Sequence, residues 1–351
     1  MSLTKIMINN KFSFDLKVEG VIPIVDGNIT QDYLDWIGKK GFYLGTMPRS
    51  GTNFITYFFN YFHMALSGTL NYKNLMPIEV VKGGWSASMH DSLDFRWFLV
   101  SHNYCPGFES LCTNSLRKKW NNSIKEKYDN NDMNYIFLIE KFRNILYPNL
   151  NENVKIIFLY RNPLDQIISL SKHFKNHIAP LENSGLDNKE SILLLVNQYL
   201  KMYISYDYMK KQYPDNIKML SYEKLVKNPK EELSAILKYY SFDLSIDNRM
   251  ELFEKTLELV TPEALRKLEL KMGKTLAGDQ KSSSSKESHM RGGKTGTWKE
   301  FFSEDELYLI EKRFNEFNLT LNQFDGIEYT FDEEKLDSIN INESIIKEKK
   351  N

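Results

Sequence analysis

With 351 residues, 42% of them hydrophobic and 13% aromatic, the chain carries enough apolar surface for a sizeable core, as one large α/β domain or two smaller ones. Lysine plus arginine and aspartate plus glutamate both total 46, so no global field recruits nucleic acid or an anionic membrane, and any anion site has to be local. The two cysteines, Cys105 and Cys112, lack a ligand-spaced histidine pair, which argues against zinc and against a disulfide framework.

Residues 1–20 contain no uninterrupted apolar run of the secretory kind, and no later window reaches transmembrane length without charges. A soluble protein of the reducing cytoplasm is expected. The first buried strand is expected at Phe42-Tyr43-Leu44, followed by a helix whose apolar stripe is Phe54, Phe58, Tyr61, Phe62 and Ala65. A second strand is expected at 97–100. Residues 103–153 are polar and asparagine-rich and read as an insertion. A third strand, 154–160, leads into Asn162-Pro163, an N-cap followed by a proline at the first helical position. Residues 217–220 form a fourth strand, and Asn228-Pro229 repeats the capping device before a helix over 230–240.

Residues 273–296, with Ser282-Ser283-Ser284-Ser285 among lysines and glycines, are too polar to bury and are expected to form a mobile loop. Ser303 with Glu306 makes a capping box for a helix running towards Phe314. The tail is expected to fray from about residue 335. Strands alternating with helices imply parallel pairing through right-handed crossovers, hence a three-layer α/β/α fold around a central parallel sheet. The whole chain, 1–351, is expected to be a single domain.

Parallel sheets bind ligands at the carboxyl ends of their strands, where the next helix points free N–H groups and a positive dipole end outward. Pro48-Arg49-Ser50-Gly51-Thr52 sits at such a junction. Gly51 allows close backbone approach, Ser50 and Thr52 carry hydroxyl donors, and Arg49 adds a permanent planar cation. A Walker A loop starting at Gly45 would need glycine and lysine where the chain has Ser50 and Gly51, so that pattern fails. Arg161 at the end of the third strand, with Ser169 in the following helix, is a second candidate anion site. Arg291-Gly292-Gly293-Lys294-Thr295-Gly296-Thr297-Trp298-Lys299 is a third. Each alone also reads as an ordinary turn, a solvated helix start or a linker; they acquire meaning together.

Together they resemble the sulfotransferases that use 3′-phosphoadenosine 5′-phosphosulfate (PAPS). Pro48-Arg49-Ser50-Gly51-Thr52-Asn53-Phe54 is similar to that family's P-K-S-G-T-T-W loop, which grips the 5′-phosphosulfate. Arg161-Asn162-Pro163-Leu164-Asp165 with Ser169 resembles its R-N-P-x-D and later serine, which hold the 3′-phosphate. Arg291, Gly292 and Gly293, continuing to Trp298, resemble the late R-K-G-x-x-G-D-W-K loop that closes on the same phosphate. Ser221-Tyr222-Glu223-Lys224-Leu225 resembles the segment whose tyrosine contacts adenine. The four stretches occur in family order from about residue 43 to residue 302. The resemblance implies a P-loop-nucleotide-kinase-like sheet, PAPS as co-substrate, adenosine 3′,5′-bisphosphate (PAP) as product, and no metal.

The departures concern mechanism. Arg49 stands for a lysine, Asn53 for a threonine, Phe54 for a tryptophan that stacks on adenine, Gly292 for a lysine and Thr297 for an aspartate. Val100-Ser101-His102 is similar to the family's K-T-H, whose histidine takes the acceptor proton, so His102 is the expected general base and Arg49 the expected stabiliser of the leaving phosphate. The family's lysine is replaced by Val100, leaving Lys82 or Arg96 to supply a second cation, and His90 beside Asp91 is a reserve base. The acceptor is expected to be a small molecule or a carbohydrate. Two alternatives are an ATP-dependent phosphotransferase with a similar sheet and a catalytically silent nucleotide-binding protein. The family's dimer motif is absent, which leaves the oligomeric state open.

Overall fold

The computed structural model describes residues 4–8, 11–15, 41–72, 75, 85–87, 97–101, 155–177, 189–272 and 295–341. The expected insertion at 103–153 therefore lies outside the described residues, as does the expected loop up to residue 294. The chain forms two compact units interleaved along the sequence.

The first unit draws on 1–45, 81–158 and 204–218. Strands β1 (Thr4–Ile8) and β2 (Lys11–Asp15) pair antiparallel with Thr4 opposite Asp15. This hairpin has no counterpart among the sequence expectations. β3 (Gly41–Thr46) runs parallel to β5 (Trp97–Ser101), Gly41 opposite Trp97 and Gly45 opposite Ser101. β4 (Trp85–Ala87) lies antiparallel against β5. The expected parallel sheet thus carries one antiparallel edge strand, too short to show a periodicity in sequence. Phe158 stacks flat on Tyr206, centroids 3.8 Å apart, and a Cβ at Gly45 would overlap the Tyr206 hydroxyl. Glycine at this point lets an aromatic side chain lie directly on the strand.

The main sheet has the order β4-β5-β3-β6-β7, with β6 at Ile156–Tyr160 and β7 at Ile217–Ser221. Four expected strands are therefore present, and the α/β class with a parallel sheet flanked by helices holds. Sheet order places β3 at the centre with β6 beside it, so the loops leaving these two strands are neighbours.

The second unit draws on 46–80, 159–203 and 219–351. Its helices are α1 (Thr52–Leu66), α2 (Pro163–His177), α3 (Lys189–Gln212, whose later part falls in the first unit), α4 (Tyr222–Lys227), α5 (Pro229–Tyr239), α6 (Arg249–Leu259), α7 (Pro262–Met272), α8 (Glu304–Asn315) and α9 (Glu333–Ser338). The expected α1 stripe understates the burial: Ile55, Tyr57 and Phe59 are covered as well as Phe54, Phe58 and Phe62. An α1 apolar nearly all round is a core helix. Phe58 and Phe62 meet Phe253 of α6 edge-on, at 5.4 and 5.9 Å. Ser303 and Glu306 form both halves of the expected capping box at α8. The tail expected to fray from about residue 335 is helical through Ser338.

The two Asn-Pro devices diverge. Asn162 Oδ1 accepts from Asp165 N at 2.8 Å, a true cap of α2. Asn228 makes no side-chain cap bond; it also terminates α4, its N–H donating to Lys224 O at 2.8 Å, and so holds a backbone geometry serving two helices.

Candidate functional site

All contacts described below lie within the second unit. The chain leaves β3 at Thr46 and turns through Pro48–Gly51 before α1. Met47 N donates to Leu159 O at 2.8 Å, tying the turn to β6. The Ser50 hydroxyl faces Met47 O and Leu159 O, and Ser50 N donates to Met47 O at 3.2 Å, so this serine spends its donors on the shape of the loop. Thr52 Oγ1 donates to Thr46 Oγ1 at 3.0 Å, closing the base of the turn. Arg49 has φ 68 and Gly51 φ 94, both in the left-handed region. Gly51 answers to a second constraint, because a Cβ there would stand 2.6 Å from the Tyr222 ring.

Glycine at the N-cap supplies no capping side chain, and the first turn of α1 contains no acid. The first N–H groups of a helix have no acceptor of their own, so those of Thr52, Asn53 and Phe54 offer themselves to an external anion. Asn53 is half-buried, whereas Phe54 is buried in the core.

The second loop leaves β6 at Tyr160. Arg161 is 9% exposed, which excludes the ordinary solvated arginine. Its guanidinium lies 5.0 Å from the Tyr222 ring centroid, Nη1 donates to Arg49 O at 3.5 Å, and Nη2 is 4.0 Å from Asp165 Oδ2. The Tyr199 hydroxyl donates to Arg161 O at 2.7 Å. From the first loop Arg49 Nε donates to Ser169 Oγ at 3.3 Å. Two arginines from two helix starts thus converge on one place, together with Ser169 and Tyr222.

Two carboxylates organise the surroundings. Glu223 Oε1 accepts from Asn162 N at 3.1 Å and from Asn162 Nδ2 at 3.2 Å, and Ser221 Oγ donates to Oε2 at 3.1 Å. Burial pushes the Glu223 carboxyl above the usual carboxylate range, against the opposing pull of the Asn162 N–H and Arg161. Burial likewise raises the Tyr222 phenol, so it stays neutral. Asp165, fully buried, accepts from Gly296 N at 2.6 Å, Thr297 Oγ1 at 2.7 Å and Trp298 N at 3.1 Å. Trp298 Nε1 donates to Gly326 O at 3.2 Å. The end of the basic glycine-rich stretch is therefore fastened to the first turn of α2.

Of the sequence candidates, the structure brings together Arg49, Ser50, Gly51, Thr52, Asn53, Arg161, Ser169 and Tyr222, whereas Phe54, expected to stack on adenine, is buried in the core. His102, Arg291, Gly292 and Gly293 lie outside the described residues, as do Lys82, His90 and Arg96. Asp165, Gln166 and Glu223 escaped the sequence reading as site residues. Asp165 and Glu223 stand inside two of the motifs quoted from the sequence but carry no role of their own there, and Gln166 lies outside every motif. Among the described residues no cluster of three or more histidine, cysteine, aspartate or glutamate side chains is arranged to hold a metal, and no helix is long and apolar enough to cross a membrane.

The model of the sulfotransferase domain family matches residues 40–325. A curated relative, cytosolic sulfotransferase 16 of Arabidopsis thaliana, is 24% identical over 181 residues, covering 48% of this chain and 53% of that protein, so the chain spans about half the length of the curated relative it matches. Similar solved structures include a mouse sulfotransferase complexed with PAP, at 14% identity over 76% of this chain and 80% of that one with a TM-score of 0.39. Another is retinol dehydratase in complex with androsterone and inactive cofactor PAP, at 16% identity over 82% of each chain with a TM-score of 0.43.

Proposed function

The chain belongs to the sulfotransferase domain family, and from that premise we propose that it transfers a sulfuryl group from PAPS to a hydroxyl or amine of a small-molecule or carbohydrate acceptor in the cytoplasm. The observation that carries the reading is the convergence of Arg49 and Arg161 from two adjacent helix starts, with Arg49 Nε on Ser169 and Arg161 on the Arg49 carbonyl. A nucleotide bearing phosphates at both ends of its ribose needs two such cationic sites a short distance apart, and a single-phosphate ligand does not.

The residues present fit such a nucleotide. The uncapped N–H groups of α1 and the Arg49 guanidinium would hold the 5′-phosphate, and Arg161 with Ser169 would hold the 3′-phosphate. Tyr222, neutral and beside Gly51, would border the base. PAPS supplies the activated sulfur: the bond from sulfur to the bridging phosphate oxygen breaks with its electron pair left on that oxygen while the acceptor oxygen or nitrogen bonds to sulfur. Arg49 neutralises the charge that builds on the phosphate. His102 takes the acceptor proton in this reading, as an imidazole titrating near neutrality is suited to do.

Purified protein with labelled PAPS and a broad acceptor panel tests the proposal. Arg49→Ala is expected to lower transfer at least about 100-fold, the loss that follows removal of a preorganised charge-stabilising group. His102→Ala is expected to lower turnover by roughly 100-fold or more with PAP affinity nearly unchanged. Transfer of phosphate from ATP with none from PAPS would contradict the reading, and PAP binding without transfer to any acceptor would favour a silent nucleotide-binding protein.

A further inference from the structure

Arg49 is the pivot of the site, and it sits in a backbone conformation that a residue with a Cβ seldom adopts, φ 68. The two peptide carbonyls flanking it are both held from the β6–α2 segment. Gln166 Nε2 donates to Pro48 O at 2.9 Å on one side, and Arg161 Nη1 donates to Arg49 O at 3.5 Å on the other. The Pro48 carbonyl belongs to the peptide whose rotation sets the φ of Arg49. A bond to that oxygen therefore opposes the peptide flip that would take Arg49 out of the left-handed region.

Gln166 is 2% exposed, and its Oε1 has no hydrogen-bond partner among the described residues. The amide cannot gain by turning over, because its oxygen would then face the Pro48 carbonyl. A buried acceptor left without a partner is unfavourable for folding, and an apolar side chain of the same shape would remove the penalty. A buried glutamine whose side-chain bonds among the described residues reduce to one carbonyl is thus poorly explained by stability.

We infer that Gln166 is a positioning residue for Arg49: its amide fixes the Pro48–Arg49 peptide and so aims the guanidinium at Ser169 and the helix starts. The consequence for nucleotide binding rests on the sulfotransferase reading; the consequence for loop geometry does not. Gln166→Met preserves length and volume while removing both the donor and the orphaned acceptor.

The variant is expected to melt at the same temperature as the wild type or higher, and to bind PAP at least about tenfold more weakly by calorimetry, the loss of roughly one charge-assisted contact. In an Arg49→Ala background the same substitution is expected to change PAP affinity less than about twofold, because residues acting through one contact do not add. A merely structural glutamine predicts the reverse: a lower melting temperature and an equal loss of affinity in both backgrounds. A crystal structure of Gln166→Met decides the matter even if the wild type binds no PAP, a result that would count against the sulfotransferase reading alone. A rotated Pro48–Arg49 peptide supports the inference, and an unchanged loop with Arg49 still on Ser169 overturns it.

Discussion

Gly51 shows how much of the site is decided by single atoms. Its φ of 94 strains any residue with a Cβ, and the Tyr222 ring occupies the volume a methyl group would need. Gly51→Ala should destabilise the fold by about 1–3 kcal/mol, the usual consequence of overpacking combined with backbone strain, read from urea unfolding. An unchanged midpoint would mean that Tyr222 moves freely. Glu223 makes a second prediction at this scale. Its carboxyl is raised by burial, so the folded protein binds this proton more tightly than the unfolded chain does. The group therefore penalises the fold at neutral pH, and the penalty fades as pH falls through the raised value towards the ordinary one. Glu311, also raised by burial, acts in the same direction. Glu223→Gln should flatten the rise in stability between neutrality and the ordinary carboxylate value, as followed by chemical denaturation at a series of pH values. A profile parallel to the wild type would show that the carboxyl titrates as if exposed.

Between elements, the start of α2 does more than begin a helix. Asn162 caps it, meets Glu223 with both its N–H groups' donors, and precedes Asp165, which holds the 296–298 turn. Asn162→Ala should lower stability by about 1 kcal/mol for the cap alone, and by more because Glu223 then loses a buried donor. Arg161→Ala should weaken PAP binding far more than binding of adenosine 5′-phosphate, and equal losses on both would remove Arg161 from the 3′-phosphate. The sequence reveals the helix start here because Asn-Pro is a local signal. It misleads at Asn228, where α4 ends on the same residue, and local chemistry cannot say which helix an asparagine serves. The six-residue α4 and the three-residue β4 fall below the length at which a period is recognisable.

For the whole molecule, four short motifs in order along the chain anticipated the family and most of the converging residues. Order survives in a sequence even when each motif is weak. What sequence does not carry is contact across more than a hundred residues: Gln166 on Pro48, or Asp165 on the turn at Gly296–Trp298. The first of these bonds depends on β6 lying beside β3 in the sheet, a consequence of topology rather than of any local pattern. The same adjacency brings Arg49 and Arg161 to one place, where in the proposed function the pair reads a nucleotide phosphorylated at both ends. Isothermal titration of the wild-type protein with PAP, adenosine 5′-phosphate and ATP tests that role most directly. PAP should be the tightest ligand, with adenosine 5′-phosphate weakened by loss of the 3′-phosphate; tight binding of ATP with none of PAP would remove the pair from that role.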